Sequence, residues 1–290
     1  MAGFTDSGLP AGRQITTRLG DLYVREVGAG RPALLWHSLF VDSTTWRRVV
    51  PELARVRRLL LIDAPGQGLS PGARRPYTLD DCADAAQDVL DHLGVGEPVD
   101  WLGNAWGGHV GLVFAASRPA QCRSLVAVGT PVHPLEPVAR RQMRWGQAVY
   151  RVVGPVRPLS RVVSEALLGR GADPEDSRLV TDAFRRASRA GMLRAMDASL
   201  TRPNLGPRLA GVPVPTVLVA AANDPLCTPD QAQTTAAHLP AGGVVVLPGG
   251  GHVGPLLQAA PQLAKTVFAV WKDPGRFVAT HGASSTAPIR

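Results

Sequence analysis

Short apolar runs alternate along the chain with longer segments in which apolar residues recur at helical spacing. The runs "PALLWHS", "RLLLIDA", "PVDWLGN", "RSLVAVG", "PTVLVAA" and "GGVVVLP" are typical of buried strands. Ahead of them, "QITTRLGDLYVREVGAG" predicts two further strands joined by a turn at Gly20 and Asp21. Because strands and helices alternate, the chain is expected to form an α/β fold whose eight strands make a mostly parallel sheet with helices on both faces.

One helix is marked at both ends. "TLDDCADAAQDVLDHLG" carries apolar residues at helical spacing, Thr78 is a candidate N-cap with Asp81 three residues later, and Gly94 is placed to end the helix. "GHVGLVFAASRP" and "QLAKTVFAVW" predict two more helices. These segments therefore supply the layers that cover the sheet.

The alternation stops after the sixth strand. Residues 135–209 contain only helical patterns, namely "PVARRQMRWGQAVYRVVG", "LSRVVSEALLG", "PEDSRLVTDAFRRAS" and "GMLRAMDASL". We expect four helices inserted into one α/β domain. The core then covers 1–132 and 211–275, the insertion covers 133–210, and 276–290 form a disordered tail.

Composition excludes several classes of function. Three scattered cysteines favour neither a disulfide framework nor a zinc site, and no apolar run reaches the roughly 18 residues that span a bilayer. The net charge of +8 comes from dispersed arginines without interleaved aromatic residues, which argues against nucleic-acid binding. Residues 133–210 hold 14 arginines against seven acidic residues. We expect a soluble, cytoplasmic protein without a membrane partner, either a monomer or a homodimer.

Five short motifs occur along the chain in the order "WHSLF", "DAPGQGLS", "GNAWGG", "ANDPLCTP" and "GGGHVG". From about Arg18 to Trp271 the chain resembles the α/β-hydrolase superfamily, in which such segments form an oxyanion loop, a turn, the nucleophile elbow, an acid loop and a histidine loop. The resemblance implies an α/β-hydrolase fold whose helical insertion is a cap over the active site.

The elbow motif has Ala105 at the position of the nucleophile. A strand-turn-helix of this kind needs small residues because its central residue is strained and the helix packs close to the strand, and Gly103, Gly107 and Gly108 provide that room. The backbone N–H of Trp106, at the start of the helix, would then donate to a developing oxyanion.

The other site residues follow from the resemblance. Leu39 is the second expected oxyanion donor, although Ser38 stands where the family usually has glycine. Asp224 resembles the triad acid, with a simple turn residue as the alternative, and His252 resembles the general base. Asp63 is a rival carboxylate in a turn motif.

Three interpretations of Ala105 stay open. It replaces a removed serine, or it replaces the aspartate of a haloalkane dehalogenase or epoxide hydrolase, with the Trp106 indole holding a halide. Alternatively it is native, in which case the protein is a non-hydrolytic enzyme that uses His252 for proton transfer, a ligand-binding pseudoenzyme, or a slow hydrolase acting through water.

We expect the substrate to be a small, largely apolar ester or lactone, anionic if the arginines of the cap recognise it. Expected contacts are His37, Ser38, Phe40, Trp145 and Tyr150, with His109 as a further contact. Met143, Phe184, Met192 and Met196 are candidates either for the pocket wall or for the core of the cap. No phosphate loop, metal cluster or dinucleotide fingerprint is present in the sequence, so we expect no cofactor and no metal.

Overall fold

A computed structural model describes residues 8–282 of the protein. Eight strands form one sheet in the order β1-β2-β4-β3-β5-β6-β7-β8. In chain order, β1 to β8 are Gly12–Thr17, Gly20–Val27, Pro32–Trp36, Arg58–Ile62, Val99–Asn104, Cys122–Val128, Thr216–Asn223 and Gly242–Gly250. The β2 strand pairs antiparallel with both of its neighbours, and the other adjacent strands are parallel. The expected eight-stranded, mostly parallel sheet is confirmed.

The central strands are buried on both faces because helices cover the sheet on either side. Successive side chains of a strand point to opposite faces. Accordingly Leu34 and Trp36 of β3 join one hydrophobic cluster, while Ala33 and Leu35 join the other. This double burial explains why the central strands appear in the sequence as uninterrupted apolar runs.

Twelve helices, α1 to α12, occur within the described residues. They span Val50–Leu53, Leu79–His92, Trp106–Ser117, Pro137–Val153, Arg157–Leu168, Pro174–Arg186, Arg189–Leu200, Gly206–Leu209, Pro229–Ala237, Gly254–Leu257, Ala260–Lys272 and Pro274–Thr280. The capping signals of α2 are confirmed, since Thr78 and Asp81 form a reciprocal capping box. Gly94 follows the helix at a φ of +64°.

The first hairpin turns two residues earlier than predicted. Thr17 pairs with Gly20, so Arg18 and Leu19 form the turn instead of Gly20 and Asp21. Tertiary contacts fix this position, because the Leu19 side chain is buried and Arg18 bonds to Asp88 of α2 at 2.8 Å.

Helices α4 to α8 lie between β6 and β7 and are called the cap below. The four predicted helices are present, with the short α8 in addition. The cap is tied to the core by an ion pair between Arg186 and Asp42, with an N–O distance of 2.7 Å. It is also tied by the close approach of Gly66 and Gly191, where a Cβ on Gly66 would lie 2.4 Å from the Gly191 Cα. The cap is thus held against the loops that follow β3 and β4.

The C-terminal segment corrects the prediction of a disordered tail from residue 276. Helix α12 occupies Pro274–Thr280, and its Phe277 and Val278 side chains are buried against the sheet. The His281 carbonyl accepts a hydrogen bond from the Val244 N–H at 3.0 Å. Two adjacent apolar side chains therefore suffice to dock this segment, and residues 283–290 lie outside the described part. Within residues 8–282, no helix combines the length and apolar character needed to cross a bilayer.

Candidate active site

The turn from β5 into α3 holds Ala105 in a strained backbone conformation. Its φ of +48° and ψ of −103° are rare for a residue with a Cβ, and its N–H donates to the Val128 carbonyl at 2.7 Å. The packing that makes this turn possible leaves no room for side chains at its glycines. A Cβ would lie 2.3 Å from the Gly107 carbonyl if placed on Gly103, and 1.9 Å from the Trp36 carbonyl if placed on Gly107. A side chain on Gly108 would be equally crowded. The need for small residues at these three positions, predicted from the sequence, is thus explained by the packing.

Two backbone amides near the elbow, those of Trp106 and Leu39, are the ones that the sequence analysis predicted as oxyanion donors. Trp106 is the first residue of α3, so its N–H has no partner within the helix. In the described part of the chain the Leu39 N–H likewise donates to no protein atom. The next residue, Phe40, has a φ of +71°, and its N–H donates to Gln67 Oε1 at 3.0 Å. Since α3 packs directly on the end of β3, the loop that carries Leu39 lies next to the elbow.

The side chain of Trp106 is buried. Its ring belongs to the same hydrophobic cluster as Cys82 of α2, on one face of the sheet. The interpretation of Ala105 as a replaced aspartate, with the Trp106 indole holding a halide, stays a prediction.

Asp224 and His252 form a buried hydrogen-bonded pair. Asp224 follows the end of β7, and its Oδ2 lies 2.8 Å from His252 Nδ1. The other carboxylate oxygen accepts the Leu226 N–H at 2.8 Å. Because the carboxylate fixes the proton on Nδ1, the Nε2 of His252 carries a lone pair that can accept a proton.

Two residues that the sequence analysis missed join this pair to the elbow. The Asn104 side-chain N–H₂ donates to the Val128 carbonyl at 3.1 Å and to the His252 carbonyl at 3.0 Å. Gly129, with a φ of +57°, lies so close that a Cβ there would be 3.2 Å from His252 Nδ1. The only sequence signal was a polar Asn104 at the end of an apolar strand. The end of β6 therefore anchors both Ala105 and His252.

His37 does not match its predicted role. It is fully buried, its Nε2 accepts the Ala64 N–H at 2.8 Å, and its Nδ1 lies 2.7 Å from the Ser38 carbonyl, to which it donates. Neither ring nitrogen is left for a substrate, contrary to the prediction. Ser38 is buried as well. The bond from the Ala64 N–H to His37 joins the loop after β3 to the loop after β4.

His109 lies one helical turn after Ala105. Its N–H donates to the Ala105 carbonyl at 2.9 Å, and its Nε2 donates to the Pro131 carbonyl at 2.6 Å. Within the described residues Nδ1 is buried without a hydrogen-bond partner. Burial, together with the nearby positive charge of Arg202, holds the pKa of His109 well below its usual range, so the ring is neutral.

Asp63 has the turn role that its motif suggested. Its two carboxylate oxygens accept the Ser43 N–H at 2.8 Å and the Leu69 N–H at 2.9 Å. A Cβ on Gly68 would lie 2.2 Å from this carboxylate. Burial raises the pKa of Asp63, and the nearby Asp42 raises it further. Both oxygens are used to hold loops together, which leaves Asp224 as the partner of His252.

The apolar wall contributed by the cap is only partly as predicted. Tyr150 and Phe184 are buried with ring centroids 5.4 Å apart, and Phe40 packs on Phe184 at 5.8 Å. Met192 and Met196 complete this cluster, while Met143 packs on the main core. Trp145 is 69% exposed, contrary to its predicted substrate contact, because it lies on the face of α4 opposite Tyr150.

A cavity of about 510 Å³ opens where the cap meets the loops that carry Asp224 and His252. Its lining includes Asn223, next to Asp224, and Gly251, next to His252. The rest of the lining consists of residues 168–173 together with Gly249, Gly250 and Gln258. The cavity therefore borders the pair from outside, while Ala105 and the two amide-bearing residues are buried beneath the cap.

No group of three metal-ligating side chains is close enough to hold a metal ion in residues 8–282. The three cysteines are free and buried.

Known proteins resemble this chain over most of its length. A family model described as alpha/beta hydrolase fold matches residues 31–259. The pimeloyl-acyl-carrier-protein methyl ester esterase of Edwardsiella ictaluri is 28% identical over 246 residues, which cover 81% of this chain and 91% of that protein.

Two solved structures share the fold. An esterase from Thermogutta terrifontis superposes with a TM-score of 0.83 at 23% identity, covering 91% of this chain and 99% of that one. The enol-lactonase from Burkholderia xenovorans LB400 gives a TM-score of 0.80 at 20% identity, with 90% and 100% covered.

Proposed function

Because the chain belongs to the alpha/beta hydrolase fold family, we propose that it carries a framework for hydrolysing an ester or lactone bond of a small, largely apolar substrate. In this framework Ala105 occupies the position of the nucleophile, Asp224 and His252 are the acid and the base, and Leu39 and Trp106 supply the oxyanion amides. The relatives include an esterase, and a lactonase shares the fold.

The observation that carries the proposal is the buried Asp224–His252 hydrogen bond of 2.8 Å, anchored to the same strand end as the strained Ala105 turn. Burying a carboxylate and an imidazole costs free energy that a receptor site has no need to spend. A strained turn likewise costs about 1–3 kcal/mol. Acyl transfer uses both features, because it needs a carboxylate-oriented histidine and a turn that presents the nucleophile.

The chemistry follows from the geometry once a hydroxyl is supplied at position 105. His252 Nε2 takes the hydroxyl proton while the oxygen bonds to the substrate carbonyl carbon, and the Leu39 and Trp106 amides stabilise the oxyanion. The leaving group then departs with the proton from His252, and water repeats the sequence to release the acid. In the chain with Ala105 no covalent intermediate forms, and His252 has only water to activate.

A second candidate function is favoured by Ala105 itself. A histidine beside two backbone amides, with no nucleophile between them, could move a proton next to a carbonyl group. The protein is then a non-hydrolytic enzyme, or a ligand-binding pseudoenzyme if no proton moves.

The test compares the unaltered chain with Ala105→Ser and Ala105→Asp on chromogenic esters, lactones and haloalkanes. We expect ester or lactone hydrolysis to appear with serine alone, and the gain to vanish when His252→Ala is added. Trp106→Phe in the serine background should retain most of the gain, because the proposed oxyanion donor is the backbone N–H of residue 106 and not its indole. Haloalkane turnover by the aspartate variant would contradict the proposal, and no gain with either variant would favour the non-hydrolytic alternative.

A further inference from the structure

Helix α4 exposes an apolar stripe to solvent. Val138, Trp145, Val149 and Val152 are 58%, 69%, 45% and 77% exposed. Their spacings of seven, four and three residues place them on one side of the helix, and we call them the α4 face. A helix on the surface of a protein normally presents polar residues outward, so this stripe needs an explanation other than packing within the chain.

Further exposed apolar residues follow in the cap. They are Val153, at the end of α4, and Val156 and Val162 after it. Seven of the eleven large apolar side chains that are exposed in the described residues therefore fall between positions 138 and 162. The opposite side of α4 is already used, because Tyr150 and Gln147 pack inward and Gln147 bonds to Asp197 at 2.6 Å. The α4 face is left as a separate surface.

Positive charge accompanies this surface. Arg141, Arg144 and Arg151 are exposed on α4, and none of them forms an ion pair within the described residues. Between Pro137 and Val153 the helix has four arginines and no acidic residue. The helix therefore combines an apolar stripe with arginines on one flank that have no ion-pair partner within the described residues.

These features favour a lipid surface over a second copy of the chain. Two α4 faces packed together would bring their arginines close to one another without any carboxylate on the helix to offset the repulsion. An anionic bilayer accepts the valines and the tryptophan at the headgroup boundary and pairs its phosphates with the arginines. It needs no shape complementarity, which suits a stripe without a groove.

We propose that the α4 face is a binding site for the surface of an anionic phospholipid membrane, on which the helix lies in the plane of the headgroups. The site is interfacial and requires no spanning segment. It goes beyond the proposed hydrolytic function and departs from the expectation that the protein has no membrane partner.

The test is co-sedimentation with vesicles of phosphatidylcholine alone and of an equal mixture of phosphatidylcholine and phosphatidylglycerol. We expect binding to the mixed vesicles, weakened in about 1 M NaCl, where the Debye length is about 3 Å. Trp145→Ser combined with Val152→Ser should lower the partition coefficient about tenfold or more. Arg144→Gln should lower it about fivefold. The matched controls Leu69→Ser and Arg74→Gln, at exposed positions outside the cap, should leave it within about twofold.

Thermal unfolding of each variant separates this outcome from misfolding, and none of the substituted side chains belongs to the proposed active site. Absence of binding to both kinds of vesicle would overturn the proposal, and so would equal binding by the Trp145 and Val152 double variant. Sedimentation velocity supplies the other contrary result: a dimer that the double variant dissociates, without vesicle binding, would assign the α4 face to a second copy. Binding of an acidic protein in the absence of vesicle binding would also overturn it.

Discussion

Breaking the Arg186–Asp42 ion pair should destabilise the protein because the buried Asp42 carboxylate loses its partner. The loss of a partner by the half-exposed Arg186 side chain should matter much less. Asp42 is 1% exposed and accepts two hydrogen bonds from the Arg186 guanidinium, at 2.7 and 3.0 Å. Burial acts to raise the pKa of Asp42, but Arg186 and Thr44 outweigh it, so the pKa is lowered. Arg186→Met leaves this carboxylate buried without its cation.

The expected magnitude follows from the unequal burial of the two partners. Removing one member of a fully buried pair costs about 3–5 kcal/mol. The Arg186 side chain is 39% exposed, so solvent screens part of the interaction and we expect a loss of about 2 kcal/mol in the free energy of unfolding. Urea unfolding followed by circular dichroism measures this loss. Arg185→Met is the matched control, because Arg185 is exposed on the same helix and forms no ion pair in the described residues.

The pH dependence of the same experiment has a defined sign. The folded-state pKa of Asp42 lies below its unfolded value of about 4, so the pair contributes fully above that pH. Its contribution is lost as the pH falls through the folded-state pKa. The difference between Arg186→Met and the parent should therefore be largest near neutral pH and shrink below about pH 4. Equal stability of the Arg186 and Arg185 variants at pH 7 would refute the reasoning.

Two further predictions concern the fold. Gly107→Ala should lower the free energy of unfolding by at least about 2 kcal/mol, because the added methyl group would overlap the Trp36 carbonyl. The control is Gly96→Ala, where the methyl group would meet open space and should change the free energy of unfolding by less than about 0.5 kcal/mol. Equal losses of unfolding free energy for the two glycine variants, measured by urea unfolding, would contradict the crowding at Gly107. Truncation after residue 273 should cost about 2–4 kcal/mol through the lost burial of Phe277 and Val278. A melting temperature unchanged by this truncation would argue against a docked α12.

The order of elements could be predicted from the sequence because it rests on local signals, and the pairing of Asp224 with His252 was implied by the resemblance of the motifs. Alternating apolar runs identify the strands, and parallel strands place their carboxyl ends at one edge of the sheet. Asp224 and His252 each follow such a strand, so their proximity needs no knowledge of side-chain packing. The capping box at Thr78 is similarly local.

The predictions that were wrong depend on tertiary contacts. His37 looked available for a substrate, but backbone groups of two loops occupy both of its ring nitrogens. Trp145 looked like pocket lining, but the packing of Tyr150 turns it outward. The tail at residue 276 contains a docked helix because Phe277 and Val278 find a hydrophobic surface distant in sequence. No local pattern specifies any of these partners.

The most direct test of the central claim is the covalent acylation of position 105. Ala105→Ser, mixed with a chromogenic butyrate ester, should release a burst of chromophore and gain the mass of one butyryl group by intact mass spectrometry. Because losing a triad nucleophile costs on the order of a million-fold, the steady-state rate should rise by at least about a thousand-fold over the unaltered chain. The rise should disappear with His252→Ala. A folded Ala105→Ser protein with no burst, no adduct and an unchanged rate would contradict the assignment of Ala105 to the nucleophile position.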